Sequence, residues 1–186
     1  TMIQQIGLLI GGSTGNVIYL LGKAAAALTS AGIGVGVAVK YGESPLVTVS
    51  AAVAAMVGGY AGKITGGTFF VDGNAVLAGP GEPLGAFIAA FAGITCGHLV
   101  SGKTKVDIIV TPVITIGAGS VVGLLVGPPI SQMMTGLGSI INWATEQRPF
   151  IMGIVVSVVM GMVLTLPISS AALGIILNLS GLASGA

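Results

Sequence analysis

Charge is nearly absent from this chain. Among 186 residues there are five acidic side chains, six basic ones and one histidine, so 6% of positions are charged. Soluble domains carry about a quarter charged residues. A chain that is 54% hydrophobic, with a mean hydropathy of +1.07, has too few charges to keep that much apolar surface in water. An aqueous globule is excluded, and lipid is the expected surroundings. The net charge of +1 comes with scattered bases, namely Lys23, Lys40, Lys63, Lys103, Lys105 and Arg148. That pattern excludes nucleic acid as a partner, because such binding needs a clustered basic patch. One cysteine, Cys96, excludes an intrachain disulfide and a zinc cluster. Within FAGITCGHLV it reads as a small buried residue. His98, the single histidine, has neither a second histidine nor a cysteine partner, so no metal site is expected. No nucleophile–base arrangement or phosphate-binding loop is present either, and no cofactor is expected.

What the chain does contain is apolar runs of spanning length. A membrane helix needs about 20 apolar residues. Candidate spans are Ile3–Leu21, Ala24–Val39, Pro45–Gly62, Leu84–Ser101, Val106–Val126, Phe150–Leu166 and Ile168 to the end. The charged residues fall between them. The second span is short and holds Gly32, Gly34 and Gly36, which suits a broken or re-entrant helix. Lys and Arg divide evenly between the two sides, so the positive-inside rule sets no orientation. Thr1 and the closing GLASGA sit in apolar runs, and the chain is expected to be one transmembrane domain, 1–186, within a longer protein.

Glycine is abundant, at 32 residues. Gly7, Gly11 and Gly15 recur at every fourth position, as do Gly58, Gly62 and Gly66, and Gly119, Gly123 and Gly127. On a helix this spacing makes a smooth stripe where backbones approach closely.

Three segments read as irregular or interfacial. ITGGTFFVDGNAVLAGPGEP, from Ile64 to Pro83, cannot stay helical at its prolines. GPPISQMMTGLGSIINWA, from Gly127 to Ala144, has helical apolar spacing and reads as an interfacial amphipathic helix started by Pro128 and Pro129. LTLPISSAAL, from Leu164 to Leu173, is interrupted at Pro167. That proline makes either a loop joining two spans or a discontinuous helix exposing its ends to a solute.

Candidate site residues are few. Glu82 stands in GPGEPLGAF, where the glycines permit a bend and Pro83 suits the first turn of a helix. Its carboxylate either caps that helix or faces a solute. His98 lies about four turns further along; it reads as an interfacial histidine or as a solute or proton contact. Asp72 and Asn74 flank Gly73, an ordinary turn sequence in the same irregular segment as Glu82. Glu146 with Arg148, and Asp107 beside Lys105, read as solvated loop charges.

The runs AGPGEPLGAFIAAFAGITCGHLV, VDIIVTPVITIGAGSVVGLLVGPPISQMMTGL and FIMGIVVSVVMGMVLTLPISSAAL resemble the membrane-spanning IIC component of bacterial sugar phosphotransferase systems. The chain is most similar to the fructose-type and toxin-regulator-like branch, over roughly residues 47–173. The bend at Gly79–Pro83 also resembles the glutamate–proline loop that contacts sugar in glucose-type IIC proteins. The resemblance implies an all-α, polytopic helix bundle in the bacterial plasma membrane and a homodimer. It implies a sugar substrate, phosphorylated by a cytoplasmic IIB partner, with no phosphorylated residue in this chain. It makes Glu82 a sugar ligand and places Pro167, Ser169 and Ser170 at the cavity. Leu164, Thr165 and Leu166 stand where fructose-type proteins tend to be acidic and glycine-rich. That departure favours a second reading, a IIC-derived membrane sensor or regulator without transport.

Overall fold

Apolar runs broken by glycine and proline become helices broken at the same points. The computed structural model describes residues 2–71, 74–75, 79, 81–145, 153–154, 157–158 and 161–162. Asp72, Glu146, Arg148, Pro167, Ser169 and Ser170 lie outside them, as do most of the expected spans beyond Phe150. Residues 1–129 form one compact unit and residues 130–186 another.

The first expected span is two helices, α1 (Met2–Ile10) and α2 (Gly12–Ala27). Gly11 and Gly12, with φ of 64° and 65°, turn the chain between them. Two successive positive φ values suit glycine and no β-branched residue. Gly7 and Gly15 therefore do not share one helix stripe with Gly11. They face each other across the hairpin instead, and a Cβ on Gly7 would fall 2.8 Å from the Gly15 carbonyl. α3 (Thr29–Lys40) follows α2 after a 44° bend at Leu28, so the second span is broken there and not at Gly32, Gly34 and Gly36, which lie inside α3.

Ser44 starts α4 (Pro45–Gly59), its hydroxyl accepting from the Val47 N–H at 3.4 Å and Pro45 opening the first turn. The helix stops at Tyr60 and resumes as the short α5 (Ala61–Thr65), so Gly58, Gly62 and Gly66 do not line one continuous face. The irregular stretch after α5 holds a minimal hairpin, β1 (Phe70–Val71) against β2 (Asn74–Ala75), antiparallel with Val71 opposite Asn74. Pro83 then opens α6 (Pro83–Val100), which matches its expected span closely.

α7 (Asp107–Thr145) joins two expected elements, the fifth span and the amphipathic segment, in one helix of 39 residues. Pro112, Pro128 and Pro129 lie within it and start no new helix. Pro128 and Pro129, expected to start a separate interfacial helix, continue this one. In apolar surroundings the backbone groups a proline leaves unpaired have no water to turn to, so staying helical is the less costly choice. Asp107, expected in a solvated loop, is instead the first residue of α7. Its carboxylate accepts the Gly102 N–H at 3.0 Å and the buried Thr111 hydroxyl at 2.6 Å. The pairing ties the preceding loop to the first turn and places a negative charge at the positive end of the helix dipole.

The centre of the 1–129 unit is built from small side chains. Ala38, Ala51, Ala55, Ala86 and Ala90 are wholly buried where α3, α4 and α6 meet, with Val47 and Ile94 filling the space between. Here the expected stripe on α7 holds. A Cβ on Gly119 would lie 2.6 Å from the Ala89 carbonyl of α6, and one on Gly123 would lie 2.8 Å from Gly58 Cα of α4. Helices that meet at glycine and alanine gain backbone-to-backbone dispersion contact, the main attraction left when lipid removes the hydrophobic one. The outward faces carry large apolar groups, among them Val49, Phe87, Phe91, Ile108 and Leu125. Cys96 is half-buried on α6, not a core residue.

The chain is an all-α membrane protein. Among the described residues α6 and α7 are long and apolar enough to cross a bilayer, and the bent α2–α3 pair makes a third candidate span.

Candidate functional site

Glu82 ends the irregular segment and begins α6. It sits half-buried at the N-cap, with extended backbone at φ −95° and ψ 112°, and its carbonyl accepts the first helical bond from the Ala86 N–H at 3.0 Å. The carboxylate makes no capping bond to the helix. The helix dipole still favours a negative charge at that position.

The bend that carries Glu82 is fixed from below. Its own N–H donates to the carbonyl of Gly59, the last residue of α4, at 2.7 Å. The Tyr60 hydroxyl stands 2.6 Å from the Gly79 carbonyl and 3.4 Å from that of Ala27, and its one hydrogen serves the nearer acceptor. Gly79 and Gly81 have φ of 80° and 72°, the conformations the glycines were expected to supply. Ser30, wholly buried near the start of α3, fills the remaining space. A Cβ on Gly81 would fall 2.5 Å from its hydroxyl oxygen, and a Cβ on Gly59 would also collide with that oxygen. The end of α4, the α2–α3 break and the start of α6 thus converge under Glu82.

Tyr60 is the hub of this arrangement, with 1% of its surface exposed. Its ring meets Phe69 edge-on at 5.8 Å, and the Lys63 ammonium lies 5.4 Å from its centroid. That distance is within cation–π range. Burial lowers the pKa of Lys63 from the ordinary lysine value, since removal from water disfavours the charged form. Neither Tyr60 nor Ser30 stood out in the sequence. Tyr60 could have been noticed as an aromatic directly after a Gly-Gly pair at the end of an apolar run; Ser30 carried no signal.

His98 lies in the last turn of α6, sixteen residues from Glu82. At about 1.5 Å per residue the two are roughly 24 Å apart along the helix, so they do not share a site. His98 Nδ1 pairs with Glu43 instead, at 3.0 Å from Oε1 and 3.2 Å from Oε2. Beside this pair Ser44 and Ser101 hydrogen-bond through their hydroxyls at 3.0 Å. Both contacts tie the α3–α4 turn to the end of α6. Sequence reading counted Glu43 as one more interspan charge and missed it as His98's partner. Asn74 is placed in β2, at the tip of the minimal hairpin. Among the described residues no group of three or more metal-ligating side chains converges.

Comparison with known proteins agrees with this architecture. The family model described as "Phosphotransferase system, EIIC" matches residues 1–186. Searches of curated proteins and of solved structures give no match. A broken-helix membrane bundle with an acidic bend at a helix start, matched along its whole length by one family model, belongs to the phosphotransferase-system EIIC family, the membrane component of sugar transport.

Proposed function

We propose that this chain binds a sugar at the bend 79–82, through the Glu82 carboxylate, and carries it across the bacterial plasma membrane as a homodimer. A cytoplasmic IIB partner then phosphorylates the sugar. The observation that carries the proposal is a half-buried carboxylate at a helix start, held on a bend pinned by the Gly59 carbonyl and the Tyr60 hydroxyl. Sugar hydroxyls donate to an ionised carboxylate through charge-assisted hydrogen bonds, stronger than neutral ones. A rigid bend lowers the ordering cost of making them. Asn74 in β2 and Asp72, in the same stretch of sequence, complete the proposed set; Pro167, Ser169 and Ser170 lie outside the described residues. His98 is assigned to the opposite end of α6, as an interhelix tie to Glu43. The regulatory reading rests on residues 164–170, which lie outside the described residues.

The test is Glu82→Gln in the full chain, purified in detergent and offered radiolabelled hexoses and hexitols. The amide keeps the shape and removes the charge. Loss of the bound sugar with an unchanged elution volume is expected. Binding equal to that of the parent protein removes Glu82 from the site.

A further inference from the structure

We infer that Tyr60 is the positioning residue of the sugar site: its hydroxyl, through the Gly79 carbonyl, holds the bend at the height and angle that present Glu82. The inference rests on the reading of Glu82 as the sugar ligand and adds what sets its geometry. Three observations meet in it. The bend has two glycines at positive φ, Gly79 and Gly81, whose backbones can leave those angles unless something holds them. One polar anchor on its first residue is a side chain, the Tyr60 hydroxyl at 2.6 Å, and the anchor on its last is the backbone bond from the Glu82 N–H to Gly59. Those anchors arise from adjacent residues, Gly59 and Tyr60, at the end of α4. A shift of that helix end therefore moves both together.

Tyr60 is also fixed from the other side. Phe69 packs on its ring edge, Ala27 offers a second carbonyl at 3.4 Å, and Lys63 lies over the ring face. The phenol thus has one hydrogen and two nearby carbonyls, one on the bend and one at the α2–α3 break. Donation to Gly79 keeps the bend closed. Donation to Ala27 releases it without leaving the buried hydroxyl unpaired. Tyr60 touches no substrate in this account; it acts through the backbone of residues 79–82.

The experiment is amide hydrogen exchange on the full chain in detergent, with fructose binding measured in parallel. Tyr60→Phe keeps the ring and removes the hydroxyl. The Glu82 amide is expected to exchange about tenfold faster, with amides from Ala89 onward in α6 unchanged. Fructose affinity is expected to weaken about 3- to 10-fold at an unchanged number of sites, the range for one net hydrogen bond. Tyr41→Phe, far along the chain at the end of α3, serves as the control and should move neither readout. A chain carrying 3-fluorotyrosine at position 60 keeps a hydroxyl and donates more strongly, so it should slow Glu82 exchange if Tyr60→Phe proves hard to purify. Unchanged exchange at Glu82 in both variants overturns the inference. Faster exchange with fructose affinity intact, while Glu82→Gln abolishes binding, also overturns it and leaves the Glu82 reading standing. If Glu82→Gln binds fructose like the parent, the Glu82 reading fails, and the exchange arm alone decides whether Tyr60 holds the bend.

Discussion

His98 Nδ1 and Glu43 Oε1 meet at 3.0 Å, across the end of α6 farthest from Glu82. The pair is lopsided: the imidazole is 72% exposed and the carboxylate 6%. Removing the exposed partner therefore leaves a buried one behind, which costs more than the pair itself contributes. His98→Ala is expected to lower stability in detergent by about 1–3 kcal/mol, the range for a buried group left without its partner. Sugar affinity should stay within about twofold, because the ring stands apart from the bend. Thermal melting checks the first expectation and equilibrium binding the second. A large loss of affinity would return His98 to the sugar site.

Gly58 and Gly85 let α4 and α6 touch backbone to backbone. A Cβ on Gly85 would lie 2.6 Å from the Gly58 carbonyl, and one on Gly58 would collide with Ala89 and the Gly85 carbonyl. Neither neighbour is a flexible side-chain tip that yields. Gly85→Ala and Gly58→Ala are each expected to cost about 1–3 kcal/mol, the range for overpacking a tight core. Gly36→Ala and Gly117→Ala face open space and should be neutral or stabilise by about 0.5–1 kcal/mol through helix propensity. Melting temperatures of the four variants in one detergent separate the two groups. Equal effects would contradict the packing described here.

Asp107 closes the loop before α7 by accepting both the Gly102 N–H and the Thr111 hydroxyl. Asp107→Ala is expected to cost about 1 kcal/mol, the net contribution of a typical intramolecular hydrogen bond. Gly102 has φ of 75°, and Gly102→Ala should cost a similar amount, about 1 kcal/mol, because a Cβ disfavours that conformation. Amide exchange should rise locally around residues 102–111 in both variants. Unaltered exchange there would mean that the carboxylate does not hold the turn.

How far the sequence alone led depended on whether a feature was local. The membrane class follows from composition, and α6 follows from an apolar run bounded by Pro83 and the polar stretch after Val100. The bend at Gly79–Glu82 was legible because Gly and Pro state their backbone demands directly. Local rules failed where a distant contact decided the outcome. Gly11 turns a hairpin that a hydropathy window reads as one span. Pro128 and Pro129 stay helical because backbone without water gains nothing by unpairing. Asp107 looked like a loop charge because its partners Gly102 and Thr111 are defined by a fold, not a motif. At the site, Glu82 was visible as a rare charge beside prolines. Tyr60 and Ser30 were not, since their importance lies in reaching Gly79 and filling the space beside Gly59 and Gly81. The distance between Glu82 and His98 required only the rise of α6, but the pairing of His98 with Glu43 required the packing of α3 and α4 on it.

The central claim is that this EIIC-family chain moves sugar and that Glu82 takes part. The most direct measurement is uptake of radiolabelled sugars into proteoliposomes containing the intact protein, with and without a phosphorylated IIB partner. The account predicts that sugar phosphate accumulates only when the partner is present, and that Glu82→Gln abolishes it. Failure to take up any sugar with a competent partner, or full uptake by the Glu82→Gln protein, would contradict it.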